Sequence, residues 1–235
     1  MIKGILIDYG GTIDTNGLHW GFVLWNSYQK HQPNIEKEIF SKAYSWAERA
    51  LALNPIIRPI HTFFDVLRLK VEQQFLFLKK ANQEVDDVNI ERIAADCTQF
   101  AKDTIQHNIP VLAELVNKYP IVLVSNFYGN INSVLSDFGL TPYFKTVIES
   151  AVVGVRKPNP EIYKMGMDYL QLPANECVVV GDSYTKDILP AKQLGCKTIW
   201  INVQGWEDAP TTLAADAMIT DFAQIPNQLE VLNSP

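Results

Sequence analysis

Short apolar runs alternate along the chain with longer stretches in which apolar residues recur at helical spacing. Five runs stand out: Ile5-Leu6-Ile7, Ile121-Val122-Leu123-Val124, Val147-Ile148, Val178-Val179-Val180 and Thr198-Ile199-Trp200-Ile201. They are continuous in apolar character, as in strands buried on both faces of a parallel sheet. Each gives way to small or polar residues: Asp8, Ser125-Asn126, Glu149-Ser150, Gly181-Asp182 and Asn202. A weaker run, Ala217-Met218-Ile219, closes the series before Thr220-Asp221. Helical segments lie between them. One covers 130–138 and stops at Gly139, another covers 186–194 and stops at Gly195, and glycine is a common helix terminator. Asn159-Pro160-Glu161 places a capping residue before a proline at the first helical position, and an amphipathic run follows to Tyr169. Strand and helix in alternation predict an α/β fold with a doubly wound parallel sheet. In such sheets chemistry collects outside the carboxyl ends of the strands, where Asp8, Ser125 and Asp182 fall.

The stretch from 16 to 104 breaks this rhythm. It is rich in aromatic residues, lacks a convincing strand and reads as helices over 18–30, 35–53, 62–80 and 90–106. Gln32-Pro33, Asn54-Pro55, Pro59 and the acidic turn Asp86-Asp87 separate them. The expected organisation is a core formed by residues 1–15 and 105–235, with an all-helical cap inserted over 16–104.

Composition narrows the class. A chain of 235 residues with 47% hydrophobic and 20% charged residues is ordinary globular protein, long enough for one large domain with an insertion. A net charge of −6 argues against binding nucleic acid or anionic membrane, since both want a basic face. The start of the sequence carries no secretory pattern, and no apolar segment approaches a membrane span. Cys97, Cys177 and Cys196 are odd in number and lack metal-type spacing, so the expectation is a reduced, cytoplasmic protein with buried thiols.

The candidate chemistry begins at Asp8-Tyr9-Gly10-Gly11-Thr12. An aspartate ends a buried strand and a glycine turn follows at once, which presents a carboxylate as nucleophile or metal ligand. Ser125 ends the second apolar run, Lys157-Pro158 precedes a helix, and Gly181-Asp182-Ser183 with Asp187 follows the fourth run. This ordered set resembles the haloacid dehalogenase-like hydrolase superfamily over nearly the whole chain, in its phosphatase-like branch. The resemblance implies a Rossmann-like core. It implies Asp8 as the nucleophile that forms an aspartyl intermediate later opened by water. Thr12 and Ser125 become phosphate-binding hydroxyls, with Asn126 as a further donor. Lys157 neutralises the nucleophile and the transferring group. Asp182 and Asp187 join Asp8 and the main-chain oxygen of Gly10 as a magnesium site, hard oxygen donors of the kind Mg2+ prefers. Asp187 has two other readings, orienting Lys157 or serving a helix N-terminus.

Gly10 departs from the pattern. The family places a second aspartate there, which protonates the leaving group and activates water, a contribution of roughly 100- to 10,000-fold. Three consequences compete: a slow phosphatase limited to good leaving groups, an acid supplied by the cap with His19 or His61 as candidates, or a protein that binds a phosphorylated ligand without turnover. Arg49, Arg58 and Arg68 are candidate anion contacts, Arg156 reads as surface, and Trp20, Phe22, Trp25, Trp46, Phe63 and Phe64 read mainly as cap core. The expected function is a magnesium-dependent phosphatase of a small phosphorylated metabolite, active as a monomer or homodimer. The alternatives are a non-turnover phosphate-ligand binding or regulatory protein, and a dehalogenase- or phosphonatase-like hydrolase of carbon–halogen or carbon–phosphorus bonds. For the phosphonatase case the cap lysines considered are Lys30, Lys37 and Lys42.

Overall fold

The computed structural model describes residues 1–203 and 214–234. In chain order its elements are β1 (Gly4–Ile7), α1 (Trp20–His31), α2 (Lys37–Leu53), α3 (Phe63–Lys80), α4 (Val88–Lys118), β2 (Ile121–Ser125), α5 (Ile131–Asp137) and β3 (Thr146–Glu149). They continue with α6 (Ser150–Val153), α7 (Glu161–Leu170), β4 (Cys177–Gly181), α8 (Leu189–Leu194), β5 (Lys197–Ile201), β6 (Ala217–Ile219) and α9 (Ile225–Asn233). A π-helical turn, Tyr184–Ile188, leads into α8.

All six strands pair in parallel in the order β3-β2-β1-β4-β5-β6. β1 is central, with Ile5 opposite Ile121 on one side and Val178 on the other. The apolar runs are continuous because both faces are covered. Ile5, Ile7, Leu123 and Val180 join one core cluster, while Leu6, Val122, Val124 and Val179 pack under Ile162, Tyr163 and Met167 of α7. The chain leaves β1 for β2 and β3, then crosses back to β4. That reversal opens a crevice at the carboxyl end of β1, where Asp8 begins.

The helices between β1 and β2 follow the sequence pattern with one difference. The last was expected over 90–106, but α4 continues to Lys118 as a single helix with Pro110 inside it. Its buried stripe continues without interruption through Ala101, Ile105, Asn108, Leu112 and Leu115. Pro110 lies on the exposed face, where the carbonyl it leaves unpaired can meet water, so packing outweighs the proline. The expected boundary at 104/105 therefore falls inside a helix. Asn108 ties that helix to the first motif, its Nδ2 donating to the Ile13 carbonyl at 3.0 Å. The three cysteines are all buried and unpaired. Among the described residues, no helix is long and apolar enough to cross a membrane.

Candidate active site

The turn after β1 is built by its own backbone and by two acidic side chains. The Asp8 N–H donates to the Val180 carbonyl at 3.0 Å, so the turn starts from the sheet ladder. Gly11 has φ of +96°, and its N–H donates to Asp14 Oδ1 at 2.7 Å. A β-carbon on Gly11 would collide with the Asp182 carboxylate, so only glycine fits there. Gly10 is the opposite case: a β-carbon there would meet nothing within 4 Å. Thr12 Oγ1 donates to Asp8 Oδ2 at 3.1 Å and lies 3.4 Å from Asp182 Oδ1. Ser125 is buried at the end of β2 and lines the same cavity.

Lys157 is the hub. Its ammonium, on a side chain only 3% exposed, contacts Asp8 Oδ1, Asp187 Oδ1 at 2.7 Å and the Val124 carbonyl at 3.2 Å. Its peptide bond to Pro158 is cis. The Asn126 side chain clamps its backbone, accepting from Lys157 N at 2.9 Å and donating to Lys157 O at 3.0 Å. The structure thus engages the Asn126 amide in holding the lysine, while the sequence pointed to a phosphate contact. Asp187 is fully engaged as well. Its Oδ1 accepts from Lys157 and from Tyr163 Oη at 2.7 Å, and its Oδ2 accepts from Ser183 N at 2.9 Å. Gly181 lets it approach, since a β-carbon there would lie 2.5 Å from Asp187 Cβ.

Charge in this site is out of balance. Asp8, Asp182 and Asp187 offer oxygens within 4.8 Å of one another, against the single ammonium of Lys157. Burial raises the Asp8 carboxyl to about 6, with Lys157 opposing and Asp187 adding to the rise. Burial, then repulsion from Asp8 and Asp187, holds Asp182 well above the usual carboxylate range. Burial alone would lower Lys157, but attraction to Asp187 and Asp8 outweighs it and keeps the ammonium protonated. A divalent cation would offset the excess negative charge, and three carboxylates form the hard donor set that suits magnesium. Asp182 has the weaker internal partner and Asp187 three good ones, so Asp182 is the better direct ligand and Asp187 the better positioner.

These groups open into a cavity of about 200 Å3. It is also lined by His19, the cap of α1, and by Trp20, Tyr44, Glu48, Phe63 and Lys70 from α1, α2 and α3. Of the two candidate acids, His19 lines the cavity, but its Nδ1 accepts from Gly21 N at 3.0 Å as a helix cap. Burial, then Lys186, lowers its imidazole to about 4, so it is neutral at physiological pH. His61 lies outside the cavity lining, its Nδ1 accepting from Arg58 N at 3.1 Å. Arg49, Arg58 and Arg68 are also outside that lining, whereas the exposed Arg156 borders it. Trp46, expected in a core, is 46% exposed and stacks on Phe77 at 6.0 Å. Lys30 and Lys42 are tied to Asp96 and Glu38 at 2.8 and 2.7 Å, away from the cavity.

Sequence reasoning missed Asp14, Glu48, Lys70 and Tyr163. Lys70 carried a usable signal: it shares the buried face of α3 with Phe63, Val66, Leu67, Val71 and Gln74, a place where lysine is out of pattern. Asp14 accepts from Gly11 N and from Trp20 Nε1 at 3.0 Å, and its carboxyl is raised to about 7 by burial, against the pull of the Gly11 amide.

A family model described as haloacid dehalogenase-like hydrolase matches residues 2–195. A glyceraldehyde 3-phosphate phosphatase of Methanocaldococcus jannaschii is 37% identical over 87 residues, which are 37% of this chain and 38% of that protein. The chain thus spans well under half the length of that relative. Among solved structures, the HAD-hydrolase YfnB of Bacillus subtilis, bound to magnesium, superposes with a TM-score of 0.61 at 19% identity, over 99% of each chain. The L-2-haloacid dehalogenase of Xanthobacter autotrophicus does so with a TM-score of 0.62 at 17% identity, over 98% of this chain and 99% of its own. At such identities the structural likeness speaks for the fold.

Proposed function

The chain belongs to the haloacid dehalogenase-like hydrolases, and we propose that it is a magnesium-dependent phosphatase of a small phosphorylated metabolite. The observation that carries this reading is the excess of three clustered carboxylates, Asp8 and Asp187 buried and Asp182 half-buried, over one ammonium. A haloacid substrate calls for no such surplus of hard anionic donors. Asp8, Asp182 and the main-chain oxygen of Gly10 would hold the cation, with Asp187 positioned behind them. When bound, the cation supplies charge neutralisation for the phosphoryl oxygens.

The chain's own groups do the rest. Asp8 forms an oxygen–phosphorus bond as the bond from phosphorus to the leaving oxygen breaks, and the leaving oxygen departs with the electron pair. Water then bonds to phosphorus as the Asp8 oxygen–phosphorus bond breaks, Asp8 keeps the electron pair as a carboxylate, and the phosphate leaves with the protons of the water. Ser125, in the cavity lining, would face the developing negative charge, while the Thr12 hydroxyl supports Asp8 and the Gly11 amide holds Asp14. Lys157 balances Asp8 throughout. Helices α1–α3 and the first part of α4 act as the cap that closes over this crevice.

Gly10 leaves the leaving group without its usual proton donor, and neutral His19 does not replace it. Turnover is therefore restricted to leaving groups that depart without protonation, such as aryl and acyl phosphates. The same glycine is the observation that favours a second reading, a phosphate-ligand binding protein with little turnover. Phosphate release from p-nitrophenyl phosphate and acetyl phosphate, with and without magnesium, separates the two. The expected result is magnesium-dependent release that Asp8→Asn abolishes. Release indifferent to Asp8→Asn, or halide release from 2-haloacids without magnesium, would overturn the phosphatase assignment.

A further inference from the structure

The cavity that Asp8 opens into is also lined by cations from outside the carboxylate cluster. Lys70, buried on α3, pairs with Glu48 of α2 at 2.6 Å, and Tyr128 Oη donates to the other Glu48 oxygen at 2.8 Å. Both oxygens of Glu48 are thus engaged, and the carboxylate serves to hold Lys70 in place. The ammonium also lies 5.7 Å from the centre of the Tyr128 ring. Two more cations border the same space, Lys186 and Arg156, both exposed. Their convergence shows in the lining itself, which brings Lys70, Lys186 and Arg156 to one cavity with His19, Glu48 and Tyr128. Beyond the carboxylates around Asp8, the lining thus carries Lys70, Lys186 and Arg156 against one internally satisfied carboxylate, Glu48, with neutral His19 in the same wall. Such an arrangement favours a negatively charged ligand group.

We propose that Lys70, Lys186 and Arg156 form a second anion subsite, and that the substrate is a short phosphomonoester carrying a carboxylate at its far end. The proposal rests on the phosphatase reading for the phosphoryl end alone. Size sets the choice of carboxylate. A cavity of about 200 Å3 equals roughly seven waters at ~30 Å3 each, room for a phosphoryl group, a few carbons and a planar carboxylate. The planar fork of Arg156 and the two ammoniums offer charge-assisted donors to such a group.

The test compares 3-phosphoglycerate with glycerol 3-phosphate, which differ in a carboxylate against a hydroxymethyl group. Dissociation constants are measured by thermal titration of the Asp8→Asn protein with magnesium, so that binding is read whether or not turnover occurs. Turnover of p-nitrophenyl phosphate by the unmodified protein reports separately on the phosphatase assignment. The expected preference for 3-phosphoglycerate is about tenfold or more. Added to Asp8→Asn, Lys186→Ala should reduce it several-fold, and Lys186→Arg should keep most of it. Lys70→Met should do as Lys186→Ala does, and Lys186→Ala, on an exposed side chain, keeps the test valid if Lys70→Met fails to fold. Equal affinity for the two ligands, or a preference that survives both Lys186→Ala and Lys70→Met, would overturn the subsite. Tighter binding of propane-1,3-diol bisphosphate than of 3-phosphoglycerate would overturn the carboxylate assignment.

Discussion

Gly11 and the Asp182 carboxylate are packed so closely that no β-carbon fits between them, while neighbouring Gly10 faces open space. Two adjacent glycines thus have opposite standing, one required by the site and one not. Gly11→Ala forces a side chain into a left-handed conformation, a strain of about 1–3 kcal/mol before the collision with Asp182 is counted. Its expected outcome is a lower melting temperature and loss of magnesium-induced stabilisation. Gly10→Ala should change neither, and thermal unfolding with and without magnesium checks both variants.

Lys157 is the sole cation contacting Asp8 and Asp187 among the described residues. Lys157→Met leaves those carboxylates facing each other in a buried site, a loss of about 3–5 kcal/mol for removing one partner of a buried pair. The cost should be smaller at pH 5 than at pH 8, because Asp8, raised to about 6, takes up a proton at the lower pH. Urea denaturation at the two pH values measures the difference.

The raised carboxyls also fix the sign of the pH dependence of the metal-free protein. Asp8 at about 6 and Asp14 at about 7 lie above their ordinary value of 3.8. Between about pH 4 and 7 these two groups therefore bind more protons in the folded chain than in the unfolded one, and each makes stability fall as pH rises, by up to about 1.4 kcal/mol per pH unit. His19, lowered from 6.5 to about 4, offsets one of them over its own range. Glu48, Asp96 and Asp216, which are lowered by their cation partners against the effect of burial, act in the opposite sense at more acidic pH. Magnesium binding requires ionised carboxylates, so its stabilisation should be larger at pH 7.5 than at pH 5.5. Melting curves with and without magnesium across that range decide the point.

Asn126 touches Lys157 through both of its amide atoms. Asn126→Ala takes the partner from both the N–H and the carbonyl of Lys157, a cost of about 1–3 kcal/mol for each group left unpaired, and loosens the lysine. Its expected effect on aryl phosphate turnover is a fall in kcat of about tenfold with little change in KM. A rise in KM with kcat kept would instead mark Asn126 as a phosphate contact.

The strands and the first motif were legible because burial on both faces leaves continuous apolar runs such as Val178-Val179-Val180, each ending in a chemically distinct residue. The length of α4 was not, because Pro110 reads as a terminator until its exposed position on the helix is known. Asn126 was legible as a polar residue after a strand, but its partner lies 31 positions away, across the crevice. Glu48 and Lys70 sit on separate helices, and only the packing of α2 against α3 brings them to 2.6 Å. Asp14 lay next to the motif in plain view, yet its role depends on the Gly11 amide and on Trp20, which the turn alone brings to it.

Phosphatase turnover by Gly10→Asp tests the central claim most directly, that this is an equipped phosphatase site missing one proton-transfer group. The open space at Gly10 admits the side chain. The expected result is a gain of roughly 100-fold or more in kcat on an alkyl phosphate such as glycerol 3-phosphate, with a smaller gain on p-nitrophenyl phosphate, whose leaving group needs no proton and which profits from water activation alone. No gain on the alkyl phosphate, in a variant that folds and is still stabilised by magnesium, would contradict the account.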